Sequence, residues 1–218
     1  MTRQVIEVHE LTAGHGGAEA VRGASFTVAQ GTVYALLGRY GSGKTTLLET
    51  VAGYRRPMSG TVRVAGVDPY APGETLRMGT VWREGGLFPG LTVAEVVDTW
   101  RRWTLDPLTR EEALERVGLQ GKAGARFERL GAGDRRRLDL ALALVGRSDV
   151  LFLDEPTAGL PREDARRIRA TLRELASGGV TVLLTTRDPD EACGADRIGV
   201  LNDGRLATGR APIRLYAA

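Results

Sequence analysis

Cysteine is nearly missing from this 218-residue sequence: Cys193 stands alone, so no internal disulfide can staple the fold. A chain this poor in thiols suits a reducing compartment, and the single thiol reads as a small buried residue. Long apolar runs are missing too. The longest, Leu140 to Val145, falls far short of the roughly 20 residues that a membrane helix needs. The first residues, Met1 to Glu7, carry no apolar signal core. The chain is therefore expected to be soluble as it stands, with any membrane role supplied by a partner. Histidine occurs only at His9 and His15, and of the 30 Lys and Arg residues only Lys44 and Lys122 are lysines. A formal charge of +3 is too small to imply nucleic acid, and no nucleic-acid partner is expected. An apolar content of 42% and a charged content of 26% suit one domain over residues 1–218, with room for an inserted subdomain.

What the sequence does have is a glycine loop in a telling place. Gly38-Arg39-Tyr40-Gly41-Ser42-Gly43-Lys44-Thr45-Thr46 follows the apolar run Val33 to Leu37 and opens into Leu47-Leu48-Glu49-Thr50-Val51-Ala52. Strand, glycine loop, helix is the context in which a phosphate loop is believed. The glycines let successive N–H groups turn inward, and the helix start adds its positive end. Lys44 is placed to reach the β- and γ-phosphates of ATP, and the Thr45 hydroxyl to take Mg²⁺. A composition that so favours arginine still has lysine here, where a compact charge serves better than a planar fork.

The rest of the chain alternates strands and helices. Arg3 to Leu11 reads as a strand, Gly14-His15-Gly16-Gly17 as a turn, and Ala24 to Ala29 as a second strand. Thr61 to Ala65 reads as an edge strand, and Met78 to Trp82 as another. From Leu87 the pattern becomes helical. Val93, Val96, Val97, Trp100 and Trp103 recur at helical spacing, a capping box opens at Thr109, and a third helix covers Leu138 to Val145. Residues 86–147 thus form a helical insertion in an α/β core. Val150 to Leu153 is a continuous apolar run expected of a strand buried on both faces, and Val180 to Thr185 is the next buried strand, with a charged helix from Arg162 to Ala176 between them. Asn202-Asp203-Gly204 marks a closing hairpin.

Leu151-Phe152-Leu153-Asp154-Glu155-Pro156-Thr157 supplies the second half of a site. A buried strand that delivers two acids at its C-terminal end suits metal and water: Asp154 to hold Mg²⁺, Glu155 to act as general base. With both halves in view, the chain resembles the nucleotide-binding subunit of an ATP-binding cassette (ABC) transporter over nearly its whole length. The motifs that carry the likeness include the loop, Leu87-Phe88-Pro89-Gly90-Leu91-Thr92-Val93-Ala94-Glu95, and Leu153-Asp154-Glu155-Pro156-Thr157-Ala158-Gly159-Leu160. Asp190-Glu191-Ala192 and Asn202-Asp203-Gly204-Arg205 also fit.

The resemblance implies a P-loop NTPase core with a small antiparallel N-terminal sheet and the inserted helical subdomain. It implies two subunits packed head to tail, with ATP between the loop of one and the signature of the other. That signature falls at Leu130-Gly131-Ala132-Gly133-Asp134, where Gly131 replaces a serine and Asp134 a glutamine. Arg135, Arg136 and Arg137 follow; a solvated helix start is the preferred reading for them. The Mg²⁺-touching glutamine falls at Arg83, the switch histidine at Arg187, the crossing aspartate at Pro161, and the adenine-stacking aromatic at or near His15. Arg83 cannot ligate Mg²⁺, having no acceptor. Arg187 cannot accept a proton, but can pair with a phosphate. Two cations beside Glu155 would make it a poorer base.

The expected function is therefore the ATPase subunit of a transporter, on the inner face of the membrane through a membrane-spanning subunit, with slow hydrolysis in isolation. The alternative is a degenerate ATP-binding subunit that regulates or scaffolds. A soluble DNA-repair or translation ATPase fits less well, since neither a long coiled coil nor a second cassette is present. The cleft lined by Arg83, Leu87, Phe88 and Trp100 is the expected receptor for a helix of the membrane subunit, while Trp100 and Trp103 read equally well as subdomain core.

Overall fold

The computed structural model describes residues 3–71 and 76–209; Met1 and Thr2 of the N-terminal stretch lie outside them. The elements are β1 (Gln4–His15), β2 (Ala18–Ala29), β3 (Val33–Leu37), α1 (Lys44–Val51), β4 (Ser59–Val64) and β5 (Met78–Val81). Then come α2 (Val93–Arg102), α3 (Arg110–Glu115), α4 (Ala132–Leu144), β6 (Val150–Asp154) and α5 (Arg162–Ser177). The chain continues through β7 (Thr181–Thr186), α6 (Pro189–Cys193), β8 (Arg197–Asn202) and β9 (Arg205–Gly209).

Two sheets result. One is antiparallel, in the order β2-β1-β4; the other runs β5-β6-β7-β3-β8-β9, parallel except for β9. Every residue of β3, β6 and β7 is buried, which is why β3 and the run Val150 to Leu153 read as unbroken apolar. Strand parity divides their side chains between two cores. Val33, Ala35, Leu37, Leu151, Leu153, Val182 and Leu184 pack towards α2, α3, α4 and α5. Tyr34, Leu36, Val150, Phe152 and Leu183 pack towards α1 and the antiparallel sheet. The parallel sheet is thus the middle layer, and the expected α/β class and N-terminal sheet are both present.

Between β5 and β6 all regular elements are helical. Capping boxes start two of them: Thr92 with Glu95, and Thr109 with Glu112. Val93, Val96 and Val97 are buried, but Trp100 is 42% and Trp103 85% exposed. The core reading thus fails for Trp103, because the helix ends at Arg102 and its cap residue turns outward.

Other boundaries differ from the sequence reading. The first strand runs on to His15 and the second begins at Ala18, because His15 pairs with Ala18 and the turn is Gly16-Gly17 alone. Both glycines have positive φ, 55° and 87°, as a two-residue hairpin requires. The helix read from Leu138 begins at Ala132. Cys193 is exposed rather than buried, since the five-residue α6 turns Glu191 and Ala192 inward and leaves its last residue out.

Phe152 is fully buried at the centre of β6. Phe152→Ala should lower the unfolding free energy in urea by about 3–5 kcal/mol. A loss under about 1 kcal/mol would show that the strand does not anchor the sheet.

Candidate functional site

Three strands deliver the site. Leu37 of β3 pairs with Thr186 of β7, and Asp154 of β6 pairs with Thr185, so the strands end together at one edge. The loop after β3 is pinned there: the Gly38 amide donates to the Thr186 carbonyl at 3.2 Å. A Cβ on Gly38 would lie 2.5 Å from both Leu201 O and Ser42 Oγ, so nothing larger fits. Gly43 takes φ 99°, and a Cβ there would meet Ala20 O at 2.4 Å. Gly43 also caps α1, which has no side-chain cap and no acid in its first turn. Its first N–H groups therefore lack a competing anion.

Two side chains of the loop lie buried at this edge. Ser42 Oγ is buried and makes no hydrogen bond. Lys44, 5% exposed, donates from Nζ to Gly38 O at 2.9 Å and Arg39 O at 2.8 Å. Burial pulls its ammonium below the usual lysine range; Glu155 opposes this, Arg187 adds to it, and Asp154 opposes it. Tyr40 stands 82% exposed at the loop tip, beside exposed Arg39 and Gly41, while Thr46 is half-buried in α1. His15 is exposed at the hairpin end of β1, next to the strand whose Ala20 backs Gly43.

The acids are placed by β6. Thr45 Oγ1 lies 3.2 and 3.1 Å from the two Asp154 oxygens. Thr185 Oγ1, fully buried, donates to Asp154 Oδ1 at 2.6 Å and accepts from the Glu155 amide at 3.0 Å. One hydroxyl thus fixes both acids. Glu155 then turns out of the strand at φ 45°, a conformation costly for a residue with a side chain and characteristic of functional sites.

Both Glu155 oxygens are taken by arginine. Arg187 Nε lies 2.9 Å from Oε1 and its Nη2 donates to Oε2 at 2.9 Å, a two-pronged pair. Arg83 Nε adds a longer contact to Oε2 at 3.6 Å. The structure thus gives Arg187 to Glu155 and brings both substituted positions to the same carboxylate.

The signature segment sits at the start of α4. Leu130 is buried, and Gly131 is the cap residue of the helix with no side-chain bond. A Cβ on Gly131 would meet nothing within 4 Å, so a serine would fit; one on Gly133 would strike the Asp164 side chain. Ala132 opens the helix. Asp134 is buried and neutralised by Lys122 and Arg137. The solvated reading of the arginines needs correction. Arg136 is 8% exposed, donating to Trp82 O and Arg83 O, and Arg135 lies over the Phe127 ring at 4.8 Å. Pro161 precedes α5 with no side-chain bond. Among the described residues, no hydrogen bond or ion pair joins residues 130–134 to the phosphate loop.

A family model described as ABC transporter matches residues 21–158, which include both halves of this site. The chain belongs to that family. It is 37% identical over 222 residues to the Fe(3+) ions import ATP-binding protein FbpC 2 of Rhodococcus jostii (strain RHA1), covering 97% of this chain and 64% of that protein. It is also 37% identical over 228 residues to the Nod factor export ATP-binding protein I of Paraburkholderia xenovorans (strain LB400), covering all of this chain and 74% of that one. The solved structure of cbiO1 from Clostridium perfringens, part of the ABC transporter complex cbiONQ, matches with a TM-score of 0.84 at 26% identity. That match covers 95% of this chain and 88% of the other. The fold is the ABC ATPase fold. The chain spans 64% of the length of the iron-import relative.

Sequence reading missed Thr185 and Arg136. Thr185 shows as a hydroxyl in the apolar run from Val180, and Arg136 lies one helical turn before buried Leu140, on the inward face of α4. Thr185→Val keeps the shape of the side chain but removes the hydroxyl between Asp154 and the Glu155 amide. Its unfolding free energy should fall by about 1–3 kcal/mol, with Thr185→Ser close to wild type. Equal stability of all three forms would show that the hydroxyl does not bridge the acids.

Proposed function

We propose that this protein is the ATP-binding subunit of a transporter, able to close on ATP but slow to hydrolyse it. The meeting of the Gly38–Thr46 loop with Asp154 and Glu155 at one edge of the sheet carries this reading. Backbone N–H groups at the start of α1, the Ser42 hydroxyl and Lys44 would cradle the phosphates. Lys44 would exchange two carbonyl partners for phosphate oxygens. His15 and Tyr40 are the aromatic groups near the loop, and His15 is the one proposed to stack on the base.

Thr45 and Asp154 offer the hard oxygens that Mg²⁺ prefers. Among the described residues no group of three or more His, Cys, Asp or Glu could hold a metal alone. That suits Mg²⁺, which keeps waters and takes the rest of its ligands from substrate phosphates. When bound it would neutralise charge on the β- and γ-phosphates. Glu155 is the group proposed to take a proton from the attacking water, and each arginine contact occupies a lone pair that this proton would otherwise find.

The ion pair favours a second reading, a regulatory subunit with little turnover. While Arg187 keeps both prongs on Glu155, it restrains that carboxylate and leaves ATP binding to the loop. Gly131 would leave the partner's composite site without the signature serine. Pairing head to tail with a second cassette that has the serine would restore only the site containing this chain's own loop.

No helix of the described residues is long and apolar enough to cross a membrane; transport is proposed to run through a membrane-spanning subunit, with this chain at its inner, cytoplasmic face. A cleft of about 500 Å³ lined by Tyr54, Trp82, Phe88, Trp100 and Asp139, with Leu87 78% exposed near it, is the proposed receptor for a helix of that subunit. The relatives serve different cargoes, iron ions for one and Nod factor for the other, so cargo is proposed to be chosen outside the shared region.

Lys44→Ala should weaken ATP binding on the order of tenfold or more in calorimetry, because a charge-assisted contact is worth about 1.5–3 kcal/mol. Unchanged affinity would remove the loop from the site. Steady-state turnover of the pure protein, with Glu155→Gln as the blank, should lie well below about one per second. A faster rate abolished by Glu155→Gln would show that the arginines support catalysis. Phe88→Asp should abolish co-purification with the membrane subunit, and retention would place the contact elsewhere.

A further inference from the structure

The loop that carries Arg83 has no regular structure between β5 and α2, yet its backbone is held at several points from α4. Arg136 donates from Nη1 to Trp82 O and from Nη2 to Arg83 O, both at 2.7 Å. Asp139, one helical turn on, accepts the Gly86 amide at 3.2 Å and lies 3.7 Å from Arg136. A Cβ on Gly85 would sit 2.4 Å from the Asp139 carboxylate, so the loop is pressed against it. The side chains of Arg136 and Asp139 are only 9% and 13% exposed, and burial opposes the charge on each. Two buried charges in a helix need a compensating task. Here the guanidinium fork spans two successive carbonyls and so fixes the peptides on both sides of Arg83.

We propose that Arg136 and Asp139 are positioning residues that set Arg83 against Glu155, linking the signature helix to the base. This rests on the reading of Glu155 as the base. The fork fixes the Arg83 backbone, and the Arg83 side chain then reaches Glu155 Oε2 at 3.6 Å. The same loop borders the proposed docking cleft, since Trp82, Glu84, Gly85, Gly86 and Asp139 all line it. A partner helix seated there would therefore act on Arg83, and through it on Glu155.

The test uses Arg136→Lys in the full chain. Lysine keeps a cation beside Asp139, so the fold is retained, but its single ammonium cannot bridge both carbonyls as the fork does. Amide hydrogen exchange of residues 82–86 should quicken by about threefold or more while residues 38–46 and ATP affinity stay unchanged. ATP turnover should rise by a similar factor, and this rise should vanish when Arg83→Ala is already present. Unchanged exchange, or a rise that persists in the Arg83→Ala background, would overturn the proposal. Absence of turnover in every form, wild type included, would refute hydrolysis alone, and the exchange measurement would still decide the positioning role.

Discussion

The in-step ending of β3, β6 and β7 is the constraint on which the site depends. Leu37, Asp154 and Thr186 reach the same edge because the parallel register holds them there. The phosphate loop, the two acids and Arg187 come from sequence positions about 150 residues apart, yet share a few ångströms at that edge. Burial of these strands on both faces makes the register hard to shift, since a slip of one residue would exchange the contents of two cores. The glycines of the loop serve the same alignment, because Gly38 and Gly43 leave no room for a side chain against β8 and β2.

On this frame the electrostatics are divided. The half proposed to receive phosphate is cationic, capped by no acid and backed by the buried Lys44. The half proposed to handle water carries an acid held by an arginine fork, where a neutral acceptor would leave the carboxylate free. The two halves differ in what they can exchange. Lys44 holds only carbonyl oxygens, which phosphate outcompetes, whereas Arg187 holds a full opposite charge with both prongs. On the proposed function, binding and turnover are separable in this chain, and an event that moves Arg187 or Arg83 acts on turnover first.

The sequence made the fold legible where period and context agreed. Apolar runs marked β3 and β6, helical spacing marked α2, a capping box marked α3, and the glycine loop announced the site. The failures share a cause: tertiary contacts that no local pattern encodes. Arg136 looked solvated among three arginines, because its acceptors lie more than fifty residues away. Trp103 looked like core by helical spacing, yet α2 ends one residue earlier. Arg83 and Arg187 were legible as departures from a family pattern, but their meeting on Glu155 depends on the register of β6 and β7 and on a loop pinned by α4.

The most direct test replaces Arg187 by histidine and compares steady-state ATP turnover and calorimetric ATP affinity with the wild-type chain. Histidine has one acceptor when neutral and cannot grip the carboxylate with two prongs, so Glu155 regains a free oxygen. The account predicts turnover raised by roughly tenfold, with affinity changed by less than about threefold, as expected for a group that acts after binding. Turnover unchanged or lower in Arg187→His would contradict the claim that this ion pair restrains the base.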